Sequence, residues 1–176
     1  ADSGSRCMSH FELRCPKCGK TRSPDMLAEA CGDCGSPLDV AYLDNGTTQV
    51  GKHGQEMPSP VHDLRLPVSL GEGDTACVEL TTLGARLPQA ALFAKLEYLN
   101  PTGSFKDRGT ATMLSVAREF GVAELVEDSS GNAGASVSAY AARAGIKSHI
   151  FVPENAPEAK LRQIRVYGTT VHSIGG

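Results

Sequence analysis

Two groups of side chains in this sequence could do chemistry. One is Lys106, set in "YLNPTGSFKDRG" (98–109), and the other is a set of four cysteines, Cys15, Cys18, Cys31 and Cys34. Asn100 and Pro101 stop the extended segment before the lysine. Thr102, Gly103 and Ser104 make a turn whose hydroxyls can cap a coming helix. Lys106 then falls in the first turn of that helix, near the positive end of its dipole, where a cation is disfavoured. A solvated surface lysine would sit more comfortably in a last turn. A lysine whose charge is disfavoured offers more free amine, and free amine is what an imine with an aldehyde requires.

A second loop, "DSSGNAGAS" (128–136), also joins a strand to a helix start. Ser129, Ser130, Gly131 and Asn132 offer backbone N–H groups and short polar side chains. Such a nest suits a carboxylate or a phosphate, and it equally suits simple capping. Two such loops at the carboxyl ends of neighbouring parallel strands would mark the edge at which α/β sheets bind ligands.

The cysteines occur as Cys15-Pro-Lys-Cys18-Gly and Cys31-Gly-Asp-Cys34-Gly, with twelve residues between the knuckles. Two CxxC turns at this spacing can deliver four thiolates to one tetrahedral zinc ion; two disulfides are the alternative. With every position filled by protein the zinc would be structural. Cys77, in "TACVEL", reads as a small core residue and Cys7 as part of the N-terminal tail. The five histidines (His10, His53, His62, His149, His172) show no ligand spacing.

Bulk properties narrow the rest. The 176 residues are 40% hydrophobic with a formal net charge of -3. No basic surplus points to nucleic acid or an anionic membrane. No apolar run approaches the ~18 residues of a membrane span. "ADSGSRCMSH" has no apolar core and so no secretory signal, which makes a cytoplasmic protein the expectation.

The elements that must position these residues are legible from about residue 90. "AALFAKLE" (90–97) reads as a strand. "KDRGTATMLSVAREF" (106–120) reads as a helix, with Met113, Leu114, Ala117 and Phe120 at helical spacing. Strand 123–128, helix 132–144, strand 147–153, helix 156–167 and strand 169–174 follow. Strands alternating with helices imply parallel βαβ units. Gly71-x-Gly73-x-x-Ala76 formally fits a dinucleotide fingerprint but lacks the strand before it and the helix after it.

In this order and spacing, "NPTGSFKDRG" and "SSGNAGAS" resemble the pyridoxal-phosphate enzymes of fold type II. The phenylalanine before the lysine, "LGEGDT" (70–75) and the cysteine knuckles resemble the threonine synthase branch. The resemblance covers nearly all of 11–176. It implies an α/β lobe of that fold over 61–176, incomplete, preceded by a small zinc ribbon at 11–40 and a linker at 41–60, with 1–10 a disordered tail or expression remnant. It implies pyridoxal 5'-phosphate as cofactor, with Lys106 forming the internal aldimine and then shuttling protons. Phe105 and Asn132 would contact the cofactor, Asn132 at its ring hydroxyl. Ser129, Ser130, Gly131 and Ala133 would hold the substrate carboxylate, although Ala133 lacks the hydroxyl often found there. The implied reaction is a lyase or synthase step on a small amino acid, O-phosphohomoserine to threonine plus phosphate. β-Replacement, dehydration and a non-catalytic subunit are the rival readings. Ala76 stands where the family usually has proline. The family's glycine-rich phosphate loop and its second lobe come later than these residues. A second chain or the C-terminal lobe is therefore expected to complete the site, and the lobe is expected to associate.

Overall fold

The computed structural model describes residues 11–25, 28, 30–43, 48–50, 56–61, 67–87 and 91–175. The tail 1–10, Cys7, His10, His53 and His62 lie outside them. The chain divides into two compact units, residues 1–67 and 68–176.

The first unit is built on a three-stranded antiparallel sheet. Strand β1 (Phe11–Arg14) lies between β2 (Thr21–Arg22) and β3 (Asp39–Tyr42). Among its described residues the buried apolar ones are Phe11, Cys15, Cys31 and Val61. The stretch read as a linker carries a hairpin, β4 (Thr48–Val50) with β5 (Glu56–Pro58).

The second unit opens with β6 (Cys77–Glu79), a one-turn helix α1 (Thr81–Gly84) and β7 (Phe93–Lys95). A 3-10 turn, Glu97–Leu99, leads through the lysine loop into α2 (Lys106–Glu119). Then follow β8 (Glu124–Glu127), α3 (Asn132–Ala144), β9 (Lys147–Pro153), α4 (Glu158–Arg165) and β10 (Thr170–Ile174). The last three strands form a parallel sheet in the order β10-β9-β8. The expected α/β alternation is present.

Three expectations need correction. Among the described residues strand β7 pairs only with β6, antiparallel, in a separate two-stranded sheet, so the two polar loops do not leave neighbouring parallel strands. Cys77 is exposed on that hairpin and is not a core residue. Met113 and Phe120 are also exposed. The buried stripe of α2 runs through Asp107, Thr110, Ala111, Leu114 and Ala117, and Met113 lies about 100° from Leu114 around the axis. Apart from these, His149 and His172 are joined, Nδ1 to Nε2 at 2.9 Å, and His149 Nε2 also meets Glu124, and among the described residues no histidine belongs to a metal-holding cluster.

Helix α3 explains its own composition. Every residue from Gly134 to Ala141 is buried, because α2 lies on one side and β9 and α4 on the other. A helix enclosed on both sides must be slim, hence the run of Gly, Ala and Ser. Its serines are satisfied: Ser138 donates to the Gly134 carbonyl at 2.7 Å. Tyr140 is the one large residue of the run, and its hydroxyl donates to Glu72 at 2.7 Å. Glu72 in turn accepts from the Ser69 hydroxyl and the Leu70 N–H, which folds the 69–74 loop onto α3. Among the described residues no helix is long and apolar enough to cross a membrane.

Candidate functional site

Lys106 is the first residue of α2, as its loop suggested. The capping differs from expectation. Ser104 Oγ accepts the Lys106 N–H at 3.3 Å, but the Thr102 hydroxyl caps nothing. Thr102 instead donates its hydroxyl to Asp107 Oδ1 and its N–H to Asp107 Oδ2 at 2.7 Å. A carboxylate in the first turn is the stronger acceptor and complements the helix dipole. Ser136 of α3 adds a third bond to Asp107 at 2.7 Å. Asp107 is wholly buried. It therefore fixes the lysine loop, the start of α2 and the middle of α3 to one another. Sequence reasoning passed over Asp107; an acidic residue in the first turn, five places after a threonine, was the available signal.

Asp107→Ala leaves the Thr102 N–H and two hydroxyls without their acceptor. Destabilisation of about 3 kcal/mol is expected, with Asp107→Asn intermediate. Urea unfolding followed by circular dichroism checks it. The midpoint should fall by roughly 1.5 M for an m-value near 2 kcal/mol/M.

The Lys106 side chain is exposed, its ammonium 4.8 Å from the centroid of the Phe105 ring. Glu127, at the carboxyl end of β8, is held above the usual carboxylate range by burial and by Asp128, with Lys106 opposing both. Before the loop, Glu97 takes Arg108 as a two-pronged partner, Nε at 2.7 Å and Nη2 at 2.8 Å. It also accepts the Thr75 hydroxyl at 2.8 Å and the Asn100 amide at 3.0 Å. The Arg108 bonds foremost, then Thr75, pull Glu97 down to about 2 from its ordinary 4.5.

A carboxylate with a depressed folded value lends stability that is full above the unfolded value. For Glu97 that stability disappears as pH falls from about 4.5 to about 2. Glu97→Gln is expected to lower the melting temperature at neutral pH, and its curve should merge with the unsubstituted protein's near the bottom of that window. Thermal melts across an acid pH series check it.

The second loop ends at Asn132, the first residue of α3. Ser129 Oγ accepts the Gly131 N–H at 3.2 Å. Asn132 Oδ1 accepts from Lys160 Nζ of α4 at 3.2 Å. Ser129, Ser130, Gly131 and Ala133 are half-buried around the helix start. Gly134 has a spatial reason. A Cβ there would lie 1.9 Å from the Ser129 carbonyl oxygen, so the loop packs directly on the helix backbone. Gly134→Ala is expected to displace the loop and cost about 2 kcal/mol or more. A lowered thermal midpoint, with the largest amide chemical-shift changes at 128–134, is the expected readout. The two loops are thus joined through Asp107–Ser136 and through α4, whose Gln163 donates to the Thr102 carbonyl at 2.9 Å.

In the first unit the four cysteines converge, with their sulfurs all within 4.8 Å of one another. Cys15 and Cys34 are 3.4 Å apart, and Cys18 and Cys31 3.7 Å. Those contacts are far longer than a disulfide bond of about 2.05 Å. They approach the edge of about 3.8 Å expected when four thiolates surround zinc at about 2.3 Å. The knuckles match: Gly19 N–H bonds to the Cys15 carbonyl and Gly35 N–H to the Cys31 carbonyl, at 2.9 and 2.8 Å. Both glycines hold positive φ, +73° and +67°, as such a turn needs. Crowding splits the thiols. The Cys18 N–H leads in holding Cys15 down, to about 6. For Cys34 the Ser36 N–H pulls down, but Cys15, burial and Cys31 together push it up to about 12. A divalent cation relieves this crowding, so the donor set fits zinc.

Residues 68–176 match the family described as pyridoxal-phosphate dependent enzyme. The chain belongs to that family. It is similar to threonine synthase of Methanocaldococcus jannaschii, 35% identical over 175 residues, 93% of this chain and 43% of that protein. It is similar to threonine synthase of Bacillus sp., 42% identical over 118 residues, 66% of this chain and 33% of that protein. Among solved structures, maize serine racemase superposes with a TM-score of 0.54 at 31% identity, over 58% of this chain and 31% of that one. The chain spans less than half the length of the curated relatives it matches. A match over 93% of the chain also takes in the cysteine knuckles.

Proposed function

We propose that this chain is the lysine-bearing part of a threonine synthase-like enzyme that converts O-phosphohomoserine and water to threonine and phosphate. The observation that carries the reading is the placement of Lys106. It is exposed at a helix start whose position is locked from beneath by a buried aspartate joined to the second loop's helix. Lys106 would hold pyridoxal phosphate covalently and move protons at the substrate carbons. Phe105 and Asn132 would contact the cofactor, and Ser129, Ser130, Gly131 and Ala133 would bind the amino-acid carboxylate at the α3 N-terminus. The cofactor, when bound, supplies the electron sink. The threonine synthase branch is favoured by relatives of that name whose similarity extends through the knuckles. The four cysteines would hold a structural zinc in a ribbon.

Around the lysine, Tyr98, Leu99 and Phe105 are 65%, 53% and 57% exposed. Apolar side chains bared along the segment that leads to Lys106 favour a site closed by a further lobe, from the rest of a longer protein or from a partner chain. The deciding assay uses the complete protein with that lobe. Phosphate released from O-phosphohomoserine with equimolar threonine supports the reading. Racemisation or dehydration of serine with no action on O-phosphohomoserine would move the chain to another branch. No turnover and no cofactor uptake would leave a non-catalytic subunit.

A further inference from the structure

Helix α4 touches both loops of the candidate site, and nothing in the proposed chemistry uses it. Gln163 Nε2 donates to the Thr102 carbonyl at 2.9 Å, and Lys160 Nζ donates to Asn132 Oδ1 at 3.2 Å. The two residues are three apart, so they share one side of the helix. Leu161 and Ile164 are buried in the core, which fixes the helix from which they extend. Lys160 lies in the first turn of α4 and reaches the first residue of α3. Both helix ends disfavour a cation, so neither helix gains stability from this placement.

The contact does one chemical thing. A lysine ammonium has three donors and no acceptor, so it can hold only the oxygen end of an amide. The NH2 end of Asn132 is then the end available to another acceptor. Among the described residues that NH2 has no hydrogen-bond partner. An asparagine whose oxygen is left unheld can present either end.

We infer that Lys160 is a positioning residue. It fixes the Asn132 amide so that its NH2, not its oxygen, faces the cofactor's ring oxygen. This rests on the reading of Asn132 as a cofactor contact. Gln163 holds the first loop from the same helix, so α4 keeps the two loops in mutual register.

The test compares Lys160→Met, Lys160→Arg and Lys160→Glu in the complete protein that carries the further lobe. The first measurement needs no cofactor: the side-chain amide 15N and 1H resonances of Asn132, identified by their loss in Asn132→Asp. Lys160→Met should move them, and Lys160→Arg, also a pure donor, should leave them close to the unsubstituted values. The second measurement is pyridoxal phosphate affinity, read from the visible absorbance of the bound form. Lys160→Met should weaken it about 3- to 10-fold, the scale of one hydrogen bond. Lys160→Arg should restore it, and Lys160→Glu, which attracts the NH2 end, should weaken it further than Met. Unchanged Asn132 resonances in Lys160→Met would overturn the positioning role, whatever the cofactor does. Resonances that move as expected support it. Failure of the unsubstituted protein to take up cofactor would then count against the reading of Asn132 and Lys106, not against the Lys160 contact.

Discussion

Lys106→Ala is expected to abolish covalent capture of pyridoxal phosphate. Incubation with the cofactor, borohydride reduction and intact mass analysis should show one adduct per chain on the unsubstituted protein, mapping to Lys106, and none on the variant. In the complete enzyme turnover should fall by at least about 10²-fold, the scale of losing a positioned proton-transfer group, before the lost attachment is counted. The expectation is sharp because the variant should fold. Lys106 is exposed, and the bonds that lock the start of α2 belong to Asp107, Thr102 and Ser104. Removing the side chain beyond Cβ disturbs none of them, and alanine favours the helix. Thermal stability should therefore stay near that of the unsubstituted chain while the adduct disappears. An adduct of undiminished yield on Lys106→Ala would defeat the assignment, because another of the chain's lysines, such as Lys17, Lys20, Lys95, Lys147 or Lys160, would then be reacting in its place.

The contrast between Lys106 and Asp107 shows where sequence reading reaches and where it stops. The lysine announces itself: a cation at a helix start, after a run of turn-formers, is locally odd. The alternation of strands and helices beyond it is equally local. Helix α3 and strand β9 begin and end at the bounds read from the sequence, 132–144 and 147–153. Asp107 is local only in part. Its bond to Thr102 spans five residues, but the bond that commits it to the core comes from Ser136, 29 residues away. The same holds for Glu72 and Tyr140, 68 residues apart. Such pairs carry no periodic signal, because burial and pairing are decided by which helix packs where.

The mistaken partner of β7 has the same origin. A short apolar run looks alike whether it joins a parallel sheet or folds back on β6, and only the register Cys77–Lys95 to Glu79–Phe93 separates the two. Helix α2 misleads differently. The apolar pattern runs through Met113 and on to Phe120 just past the helix end, but the stripe that is buried is polar at Asp107, Thr110 and Ser115. Ser115 accepts the Val68 N–H at 2.8 Å and returns its own proton to the Ala111 carbonyl, so a polar residue fills a core position at no unsatisfied cost. Hydrophobic periodicity cannot register a core made of satisfied hydroxyls.

Chelation is the other large expected effect. The unit holding the knuckles has few buried apolar side chains among its described residues: Phe11, Cys15, Cys31 and Val61. Two of these are themselves metal donors in the proposed ribbon. So small a core cannot offset the entropy of ordering the sheet β2-β1-β3. A structural zinc held by four thiolates contributes on the order of 10–16 kcal/mol, which can. A strong chelator at neutral pH, or Cys15→Ser at the most buried of the four sulfurs, should release about one zinc per chain and collapse the amide dispersion of residues 11–43. The helical signal of 106–165 should persist, because Asp107, Tyr140 and the buried alanines of α3 lie wholly in the other unit. Zinc release measured with a colorimetric indicator, alongside 15N-resolved spectra of the whole chain, reads both units at once. Retention of dispersed signals from 11–43 without metal would show that the sheet and the exposed Lys20–Asp33 pair, at 2.6 Å, suffice without it. Loss of signals from both units together would show that the knuckles support the lysine-bearing lobe as well as themselves.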